Sequence, residues 1–292
     1  MSTNDTLLGI TGATGRLGGR IISRLAATGA NQRLLARDPS RLPASLAASA
    51  VRASFADSDA VVAGLTGVPT VLMVSASESA DRVAQHVAFI DAAARAGVGH
   101  VVYISFFGAA PDATFTLARD HYATEEHLRA SGMDFTFLRD NLYADFLPAL
   151  VGDDGVIRGP AGRGRVAAVA QDDIADAAVA VLLDPVPHAG ATYSLTGPEA
   201  LDLDQIAAVL TESREFTQTR HAPVSYHPET VTEAYASRAR YGAPGWQLDA
   251  WVSTYTAIAA GELAGVTDHV LGLTGHPATS IADVLRSAAS AS

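Results

Sequence analysis

The sequence contains no cysteine, and this absence excludes several kinds of site at once. Disulfides, iron–sulfur ligation, zinc–thiolate sites and a cysteine nucleophile all require that side chain. The sequence also contains no apolar run long enough to cross a membrane and no cluster of basic residues. Because the formal net charge is -11, we expect no direct binding to nucleic acid or to an anionic membrane.

Charged residues are also scarce, at 17% of the 292 residues, whereas hydrophobic residues make up 48%. This composition excludes a disordered chain and provides enough apolar side chains for a sizeable core. The amino-terminal stretch lacks the basic and apolar segments of a signal peptide. We therefore expect a soluble, cytoplasmic protein with one large domain, or with a large and a small one.

The strongest local pattern is the glycine-rich stretch TLLGITGATGRLGG at residues 6–19. A short apolar run leads into Gly12, Gly15 and Gly18, and a helical pattern follows, as at the start of a phosphate-binding βαβ unit. Gly12 would allow a sharp turn, Gly15 a close approach to a pyrophosphate, and Gly18 close packing of helix on strand. The helix amino terminus would offer N–H groups to the phosphates. A glycine-rich turn without a ligand is the alternative.

The end of the second predicted strand, residues 33–36, indicates which dinucleotide would fit. An acidic residue there would bind the adenosine ribose, whereas an arginine accommodates a 2′-phosphate. Arg37 occupies this position, and Arg16 and Arg41 lie near it, which favours NADP(H) over NAD(H). Asp38 is the competing candidate, although Asp-Pro is also an ordinary helix start.

Strands and helices alternate as far as a sixth predicted strand. Further strands are predicted at residues 51–55, 70–74, 100–105 and 134–139, and helices at 79–96 and 115–130. The pattern predicts an α/β fold with a Rossmann-like, doubly wound parallel sheet and an active crevice at the carboxyl ends of the strands. Asp57 then lies where an adenine ring would be or caps a helix, and Ser75 lies where the ribose and nicotinamide would pass.

The helix at 79–96 is predicted to bury one apolar face, formed by Val83, Val87, Ile90 and Ala94. Arg82 and His86 on the same helix are predicted to be solvent-exposed or structural residues and not catalytic ones.

Beyond residue 141 the alternation becomes irregular. Residues 152–165 predict a loop or short hairpin, and the remaining elements are helices at 171–183, 203–210, 228–240, 246–260 and 281–288, with strands at 192–195 and 223–226. Because no repeat or low-complexity linker is found, we predict two lobes and not two independent domains. Residues 1–150, joined by about 165–195, form the predicted NADP(H)-binding Rossmann domain, and 196–292 form a smaller α/β lobe on the substrate side.

Five stretches resemble the NmrA-like branch of the atypical short-chain dehydrogenases/reductases, and within it the NADPH-dependent quinone oxidoreductases. They are ITGATGRLG at 10–18, ARDPSRL at 36–42, AARAGVGHVVYIS at 93–105, LARDHYATEEHLRASGMDFTFLRDNLYAD at 117–145 and GRVAAVAQDDIADAAVAVL at 164–182. The similarity spans nearly the whole chain, and its more specific part is the block at 121–145.

The resemblance implies a two-lobed reductase that binds NADP(H). It carries the cofactor contacts onto Thr11, Gly12, Thr14, Gly15, Arg16, Leu17, Gly18, Arg37, Asp57, Ser75 and Asn141. The chain also departs from the short-chain dehydrogenases, which place a Tyr-x-x-x-Lys pair on the fifth helix. The aligned residues here are Leu117 and His121, and Tyr122 is one residue out of register, about 100° around the helix. The usual acid–base machinery for alcohols and ketones is therefore not evident.

This departure favours an acceptor that does not need a strong acid. Ketone reduction requires a proton as the alkoxide forms, whereas a quinone gives a stabilised oxyanion that solvent can protonate. We predict hydride transfer from NADPH to a quinone or similar planar, conjugated acceptor, by proximity and exclusion of water. His121 would hydrogen-bond the oxyanion or orient the nicotinamide ribose, and Tyr143 lies in the same region; structural roles are the alternatives. His121 and Glu125 have metal-ligand spacing but no third ligand, so no metal site is predicted.

An NADP(H)-sensing regulatory protein of the NmrA type, which acts through protein partners, is the alternative function. Some NmrA-like proteins bind the cofactor and lack the catalytic pair, as this chain does. We expect no appended interaction segment, which favours the enzyme. The acceptor, the stereochemistry of hydride transfer and the oligomeric state stay open, and a homo-oligomer is compatible with the sequence.

Overall fold

A computed structural model of the chain describes residues 6–213 and 223–290. The strands in chain order are β1 (Leu8–Thr11), β2 (Gln32–Ala36), β3 (Ala50–Arg52), β4 (Thr70–Val74), β5 (His100–Phe106), β6 (Asp134–Asp140), β7 (Val156–Gly159), β8 (Arg165–Val166), β9 (Thr192–Leu195), β10 (Leu201–Asp202) and β11 (Ser225–Pro228). The helices are α1 (Arg16–Ala27), α2 (Ser58–Leu65), α3 (Arg82–Arg95), α4 (Thr116–Ala130), α5 (Gln171–Leu183), α6 (Leu203–Glu212), α7 (Val231–Ala239), α8 (Gly245–Ala259), α9 (His269–Thr274) and α10 (Ile281–Ser290).

Seven of these strands form one sheet in the order β3-β2-β1-β4-β5-β6-β9. Strand β1 pairs in parallel with β2 on one side, Leu8 opposite Gln32, and with β4 on the other, Leu8 opposite Thr70. The chain thus winds outward from β1 in one direction and from β4 in the other. This reversal is the topological switch point at which open α/β sheets bind ligands. The predicted Rossmann-like, doubly wound α/β fold is confirmed.

The chain divides into two compact units, each made of several segments. The first unit is Met1–Phe106, Asp120–Arg139 and Ile174–Tyr193, and the second is Phe107–Arg119, Asp140–Asp173 and Ser194–Ser292. The segments after β5 and β6 join the second unit because they contact its carboxyl-terminal part. Phe107 packs beside Gly265, and Asn141 Nδ2 donates to the Leu263 carbonyl at 3.0 Å. The predicted boundaries at 150 and 196 remain a prediction.

The core of the first unit is formed by the sheet and the helices that cover it. Strand β5 is buried along its whole length, and α1 buries Leu17, Ile21 and Leu25, spaced four residues apart. Each fully buried leucine or isoleucine stabilises the fold by roughly 1.5–3 kcal/mol. The apolar runs predicted as strands therefore form the centre of the sheet.

Glu125 on α4 is a fully buried carboxylate in this core. Arg139 holds it with two parallel bonds, Nε to Oε1 at 2.8 Å and Nη2 to Oε2 at 2.6 Å. Ser105 Oγ donates to Oε1 at 2.6 Å, and Arg129 Nη2 donates to Oε2 at 3.2 Å. A buried charge needs such partners, since an unpaired carboxylate in a core costs several kcal/mol. The Glu125 carboxylate is thus used structurally, and among the described residues no group of three or more His, Cys, Asp or Glu side chains could hold a metal ion.

Several predicted elements differ from the structure. The loop or short hairpin predicted at 152–165 begins with a tight antiparallel turn, in which Val151 bridges to Ile157. The prediction did not include the parallel pairing of β7 with the distant strand β11. The connection between β2 and β3 contains only two short 3₁₀ turns, Pro39–Arg41 and Ala47–Ser49, so that the predicted fifth helix is the fourth α-helix.

The buried face of α3 also differs from the prediction. Arg82 and His86 are buried on this face together with Phe89 and Ile90, whereas the predicted Ala94 is exposed. A polar side chain can be buried when hydrogen bonds replace its water, which the hydrophobic pattern does not reveal. None of the helices formed by residues 6–213 and 223–290 is both long and apolar enough to span a bilayer.

Candidate functional site

The glycine turn follows β1 directly. Gly12 has a φ of 67°, in the left-handed region that favours glycine, and a Cβ there would lie 2.7 Å from Val74 Cβ. The Gly15 N–H donates to the Gly12 carbonyl at 2.9 Å and closes the turn. A Cβ on Gly18 would overlap the same carbonyl oxygen of Gly12. The first turn of α1 therefore packs directly on the end of β1, as the glycine spacing predicts.

The amino terminus of α1 is open to a ligand. Its N-cap, Gly15, has no side chain to accept the first N–H groups, and the first turn contains no acidic residue. Gly12, Gly15 and Arg16 are all exposed. An open glycine turn with free helical N–H groups, into which a Cβ at Gly12 would not fit, suits the pyrophosphate of a dinucleotide. The residues present thus fit the predicted cofactor.

Two hydroxyl groups connect neighbouring strands beside this turn. Thr11 Oγ1 accepts a hydrogen bond from the Val74 N–H at 2.9 Å and ties the end of β1 to the end of β4. Ser75 Oγ donates to the Ile104 carbonyl at 2.8 Å and ties the end of β4 to β5. Leu17 is buried and belongs to the core, and Thr14 is half-buried within the turn. These predicted contacts shape the turn; their contact with a cofactor remains a prediction.

A group of arginines lies at the ends of β2 and β3. Arg37 follows β2 directly, and Arg52 ends β3 in register with Ala36. Arg37, Arg41 and Arg52 are exposed, and so is Arg16 at the start of α1. Arg37 forms no ion pair with any described residue. Its guanidinium is thus available to a 2′-phosphate.

The competing residue, Asp38, has another use. Its Oδ1 accepts hydrogen bonds from the Ser40 N–H at 3.1 Å and from Ser40 Oγ at 2.7 Å, which caps the 3₁₀ turn at Pro39–Arg41. These two bonds are the main reason why the pKa of Asp38 is lowered. Asp57 likewise caps α2, with Oδ1 accepting from the Ala60 N–H at 3.1 Å. Both carboxylates cap helices, as the alternative interpretation expects. The contact of Asp57 with the adenine half of the cofactor remains a prediction.

Asn141 and Tyr143 lie in the second unit and are bonded there. Asn141 is almost fully buried, and its Oδ1 accepts from the Leu142 N–H at 2.8 Å. The half-buried Tyr143 donates its hydroxyl to Asp140 Oδ2 at 3.1 Å. The roles of Asn141 and Tyr143 toward cofactor and acceptor remain predictions.

His121 is buried in the first unit with both ring nitrogens engaged. Nε2 lies 3.2 Å from Arg82 Nη2, and Nδ1 lies 2.9 Å from the Tyr103 hydroxyl. Because a guanidinium can only donate, Nε2 must accept and Nδ1 carries the proton. Burial lowers the pKa of His121 well below its ordinary value, and Arg82 lowers it further. The imidazole is therefore neutral at pH 7, and its one proton points to Tyr103.

Tyr103 does not replace the missing catalytic tyrosine. It is completely buried, and burial raises the pKa of its hydroxyl to about 12. The chain contains no lysine at any position, so the Tyr-x-x-x-Lys pair cannot form elsewhere. The sequence interpretation did not identify the buried hydrogen bonds of Arg82, His86 and Tyr103. The available signal was the spacing of Arg82 and His86, four residues apart at the start of the helix that follows β4.

The fold and the open glycine turn define a dinucleotide-binding protein. Residues 12–185 match the model of a family described as NAD(P)H-binding. The chain belongs to this NAD(P)H-binding family.

Two known proteins, one of them also as a crystal structure, are similar over nearly their whole length. Quinone oxidoreductase 2 of Escherichia coli (strain K12) is 32% identical over 286 residues, which cover 95% of the chain and 96% of that protein. A crystal structure of NADPH-dependent quinone oxidoreductase QOR2 from Escherichia coli, complexed with NADPH, matches with a TM-score of 0.83 at 30% identity. The match covers 96% of the present chain and 99% of the QOR2 chain. NAD(P)H azoreductase of Xenophilus azovorans is 30% identical over 288 residues, 97% of the chain and 98% of that protein.

The regulator NmrA has a similar fold at lower sequence identity. Its structure in complex with NADP matches with a TM-score of 0.73 at 18% identity, over 97% of the present chain and 95% of the NmrA chain. This likeness concerns the fold alone. The predicted resemblance to NmrA-like reductases, the predicted NADP(H) cofactor and the predicted class of NAD(P)H-dependent oxidoreductase are confirmed.

Proposed function

We propose that this protein reduces a quinone, or a similar planar conjugated acceptor, with NADPH. The observation that carries the proposal is the state of His121, which is held neutral between Arg82 and Tyr103. A residue in this state cannot supply the proton that ketone reduction requires. Relatives named as a quinone oxidoreductase and an azoreductase support the same class of acceptor.

The bound cofactor would supply a hydride, and the acceptor would become an oxyanion that takes its proton from solvent. The residues of this chain then serve mainly to bind and to orient. The turn at Gly12–Gly15 and the α1 amino terminus would hold the pyrophosphate, and Arg37 would hold the 2′-phosphate. Ser75, at the end of the central strand β4, would face the nicotinamide half. A cytoplasmic location and a homo-oligomeric state remain predictions from sequence.

The acceptor class can be tested with purified protein and NADPH. Loss of nicotinamide absorbance is followed with 1,4-benzoquinone, with a naphthoquinone and, as the matched control, with the saturated ketone cyclohexanone. We expect turnover with the quinones and none with the ketone. Because burial keeps His86 and His121 neutral at these pH values, kcat/KM should vary by no more than about twofold between pH 6 and 8. Tight NADPH binding without turnover of any quinone would instead support the regulatory alternative.

The cofactor preference can be tested at Arg37. The variant Arg37→Gln removes one charged contact, worth about 1.5–3 kcal/mol, and should raise Kd for NADPH roughly 10- to 100-fold. The Kd for NADH should change by less than about twofold, since NADH carries no 2′-phosphate. Arg95→Gln is the matched control. Arg95 is also an exposed arginine, but it lies in the last turn of α3 and not at the end of β2. Equal effects on both nucleotides would refute the assigned contact.

A further inference from the structure

The first two residues after β4 are held by a set of buried side chains. Ala76 is bonded at both of its backbone polar groups. Arg82 Nε donates to the Ala76 carbonyl at 3.1 Å, and the Ala76 N–H donates to His86 Nε2 at 2.9 Å. Arg82 and His86 are four residues apart on α3 and therefore lie on one face of that helix. One helix thus binds one residue of the connecting segment at two points, and we call this arrangement the Ala76 clip.

A second helix braces the clip. His121 Nε2 accepts from Arg82 Nη2, and the Thr124 hydroxyl lies 2.8 Å from His86 Nδ1. His121 and Thr124 are three residues apart on α4, so they too share a face. Since His86 Nε2 accepts from a backbone N–H, its proton must reside on Nδ1 and points to Thr124. Both histidines are thereby fixed in the Nδ1-protonated, neutral tautomer.

The same network reaches Ser75. His121 Nδ1 donates to the Tyr103 hydroxyl at 2.9 Å, and that hydroxyl lies 3.4 Å from Ser75 Oγ. Ser75 Oγ in turn donates to the Ile104 carbonyl. Ser75 and Ala76 are therefore held by contacts from β5, α3 and α4 together.

The network is built as a rigid support. His86, Tyr103 and Thr124 are fully buried, and Arg82 is 6% exposed. The Arg82 charge is balanced by Asp120, whose Oδ2 lies 4.0 Å from Nη1. Burial lowers the pKa of His86 to about 3 and raises that of Tyr103 to about 12. Both groups thus keep one protonation state at neutral pH, and the hydrogen bonds keep one direction.

We propose that Arg82 and His86 are positioning residues of the reductase. They hold Ser75–Ala76 in place, and this segment binds the nicotinamide half of NADPH. The inference rests on the proposed function. Ser75 and Ala76 follow the central strand beside the switch point, where the cofactor crosses the sheet edge. The pyrophosphate and the 2′-phosphate would be held elsewhere, so the clip should govern hydride geometry more than affinity. A displacement of about 1 Å at the reacting centre can cost about 100-fold in rate.

The test compares two substitutions of His86. In His86→Gln the side-chain amide can still accept from the Ala76 N–H and donate to Thr124, whereas His86→Leu can do neither. We expect His86→Leu to lower kcat with a quinone about tenfold or more, with Kd for NADPH within about threefold, and His86→Gln to restore most of the rate. His127→Gln is the matched control, since His127 also bridges α3 and α4, through Asp91, but at the surface.

The fluorescence of bound NADPH provides a readout that needs no acceptor. Its emission reports the surroundings of the nicotinamide, and we expect a changed emission in His86→Leu at saturating NADPH and a normal one in His86→Gln. Changes in both kcat and emission support the proposal. A lower thermal midpoint in His86→Leu, with kcat and emission unchanged, overturns it because His86 would then be structural only.

One result separates this proposal from the proposed function, and a second variant covers a folding failure. If the wild-type protein turns over no quinone but its NADPH emission still depends on His86, the proposed function fails and the clip stands. If His86→Leu does not fold, Arg82→Lys replaces it, because lysine keeps the charge but has one donor group where arginine uses two. An Arg82→Lys variant with wild-type kcat and emission would overturn the clip.

Discussion

Acid should destabilise the folded protein through His86, and the size of the effect can be worked out from the structure. The imidazole is completely buried, and burial lowers its pKa from 6.5 to about 3, with the nearby Arg82 adding to the shift. In the unfolded chain the same group binds a proton below pH 6.5. Between pH 6.5 and 3 the unfolded state therefore holds more protons, so the free energy of unfolding falls as the pH is lowered.

The magnitude follows from linkage. At pH 5 the unfolded imidazole is 1.5 pH units below its pKa, while the folded one is still neutral, which corresponds to about 2 kcal/mol for His86 alone. This is a large fraction of the 5–15 kcal/mol that stabilises a typical domain. His121, whose pKa is also lowered, acts in the same direction. The destabilisation caused by the buried neutral histidines should therefore develop mainly between pH 6.5 and 4.

Urea unfolding followed by far-UV circular dichroism at pH 8, 7, 6 and 5 measures the effect. In His86→Gln the titrating group is gone, so the loss of unfolding free energy between pH 8 and 5 should be smaller than in the wild type by about 2 kcal/mol. The exposed His227 provides the control, and His227→Gln is measured in the same way. The comparison uses the pH dependence of each variant, not its absolute stability. If the wild type and His86→Gln lose equal stability on acidification, the buried neutral state assigned to His86 is wrong.

Two further predictions concern backbone and charge packing. The variant Gly18→Ala should destabilise the protein by roughly 1–3 kcal/mol and weaken NADPH binding, because its Cβ would overlap the Gly12 carbonyl. The control Gly19→Ala should be neutral or stabilising, because its Cβ would lie 3.9 Å from the nearest atom. Urea unfolding and NADPH titration of both variants check the prediction. Replacing the buried Glu125 by Gln should lower the free energy of unfolding, measured with urea, by about 3–5 kcal/mol. Replacing the exposed Glu126 by Gln should lower it by less than about 1 kcal/mol. Equal losses would contradict the buried ion-pair network.

The sequence predicted the parts of the site that depend on neighbouring residues. The glycine turn is local, because the conformation at Gly12 and the contact between Gly12 and Gly18 involve only one strand end and the first turn of the next helix. Arg37 could be placed because the end of a short apolar strand is visible in the pattern. The helix-cap alternatives for Asp38 and Asp57 were recognisable for the same reason.

The regions where the sequence interpretation was incomplete all involve distant partners. The strand β7 was predicted as part of a loop or short hairpin, and its pairing with β11 was not predicted because β11 is remote in the chain. Arg82 and His86 were assigned to solvent or to structure, since a polar residue on a helix shows its burial only through the groups that it meets. Their partners are Ala76 on the preceding connection and His121 and Thr124 on the next helix.

The sequence by itself thus determined the fold class, the dinucleotide turn and the preference for a 2′-phosphate, because each depends on local periodicity or on the residue at one strand end. Only the tertiary structure decided the state of His121. Its tautomer and charge depend on Arg82 and Tyr103, which come from a different helix and a different strand. The physical reason is that burial and hydrogen-bond direction, which set the protonation of a histidine, arise only when separate elements pack together.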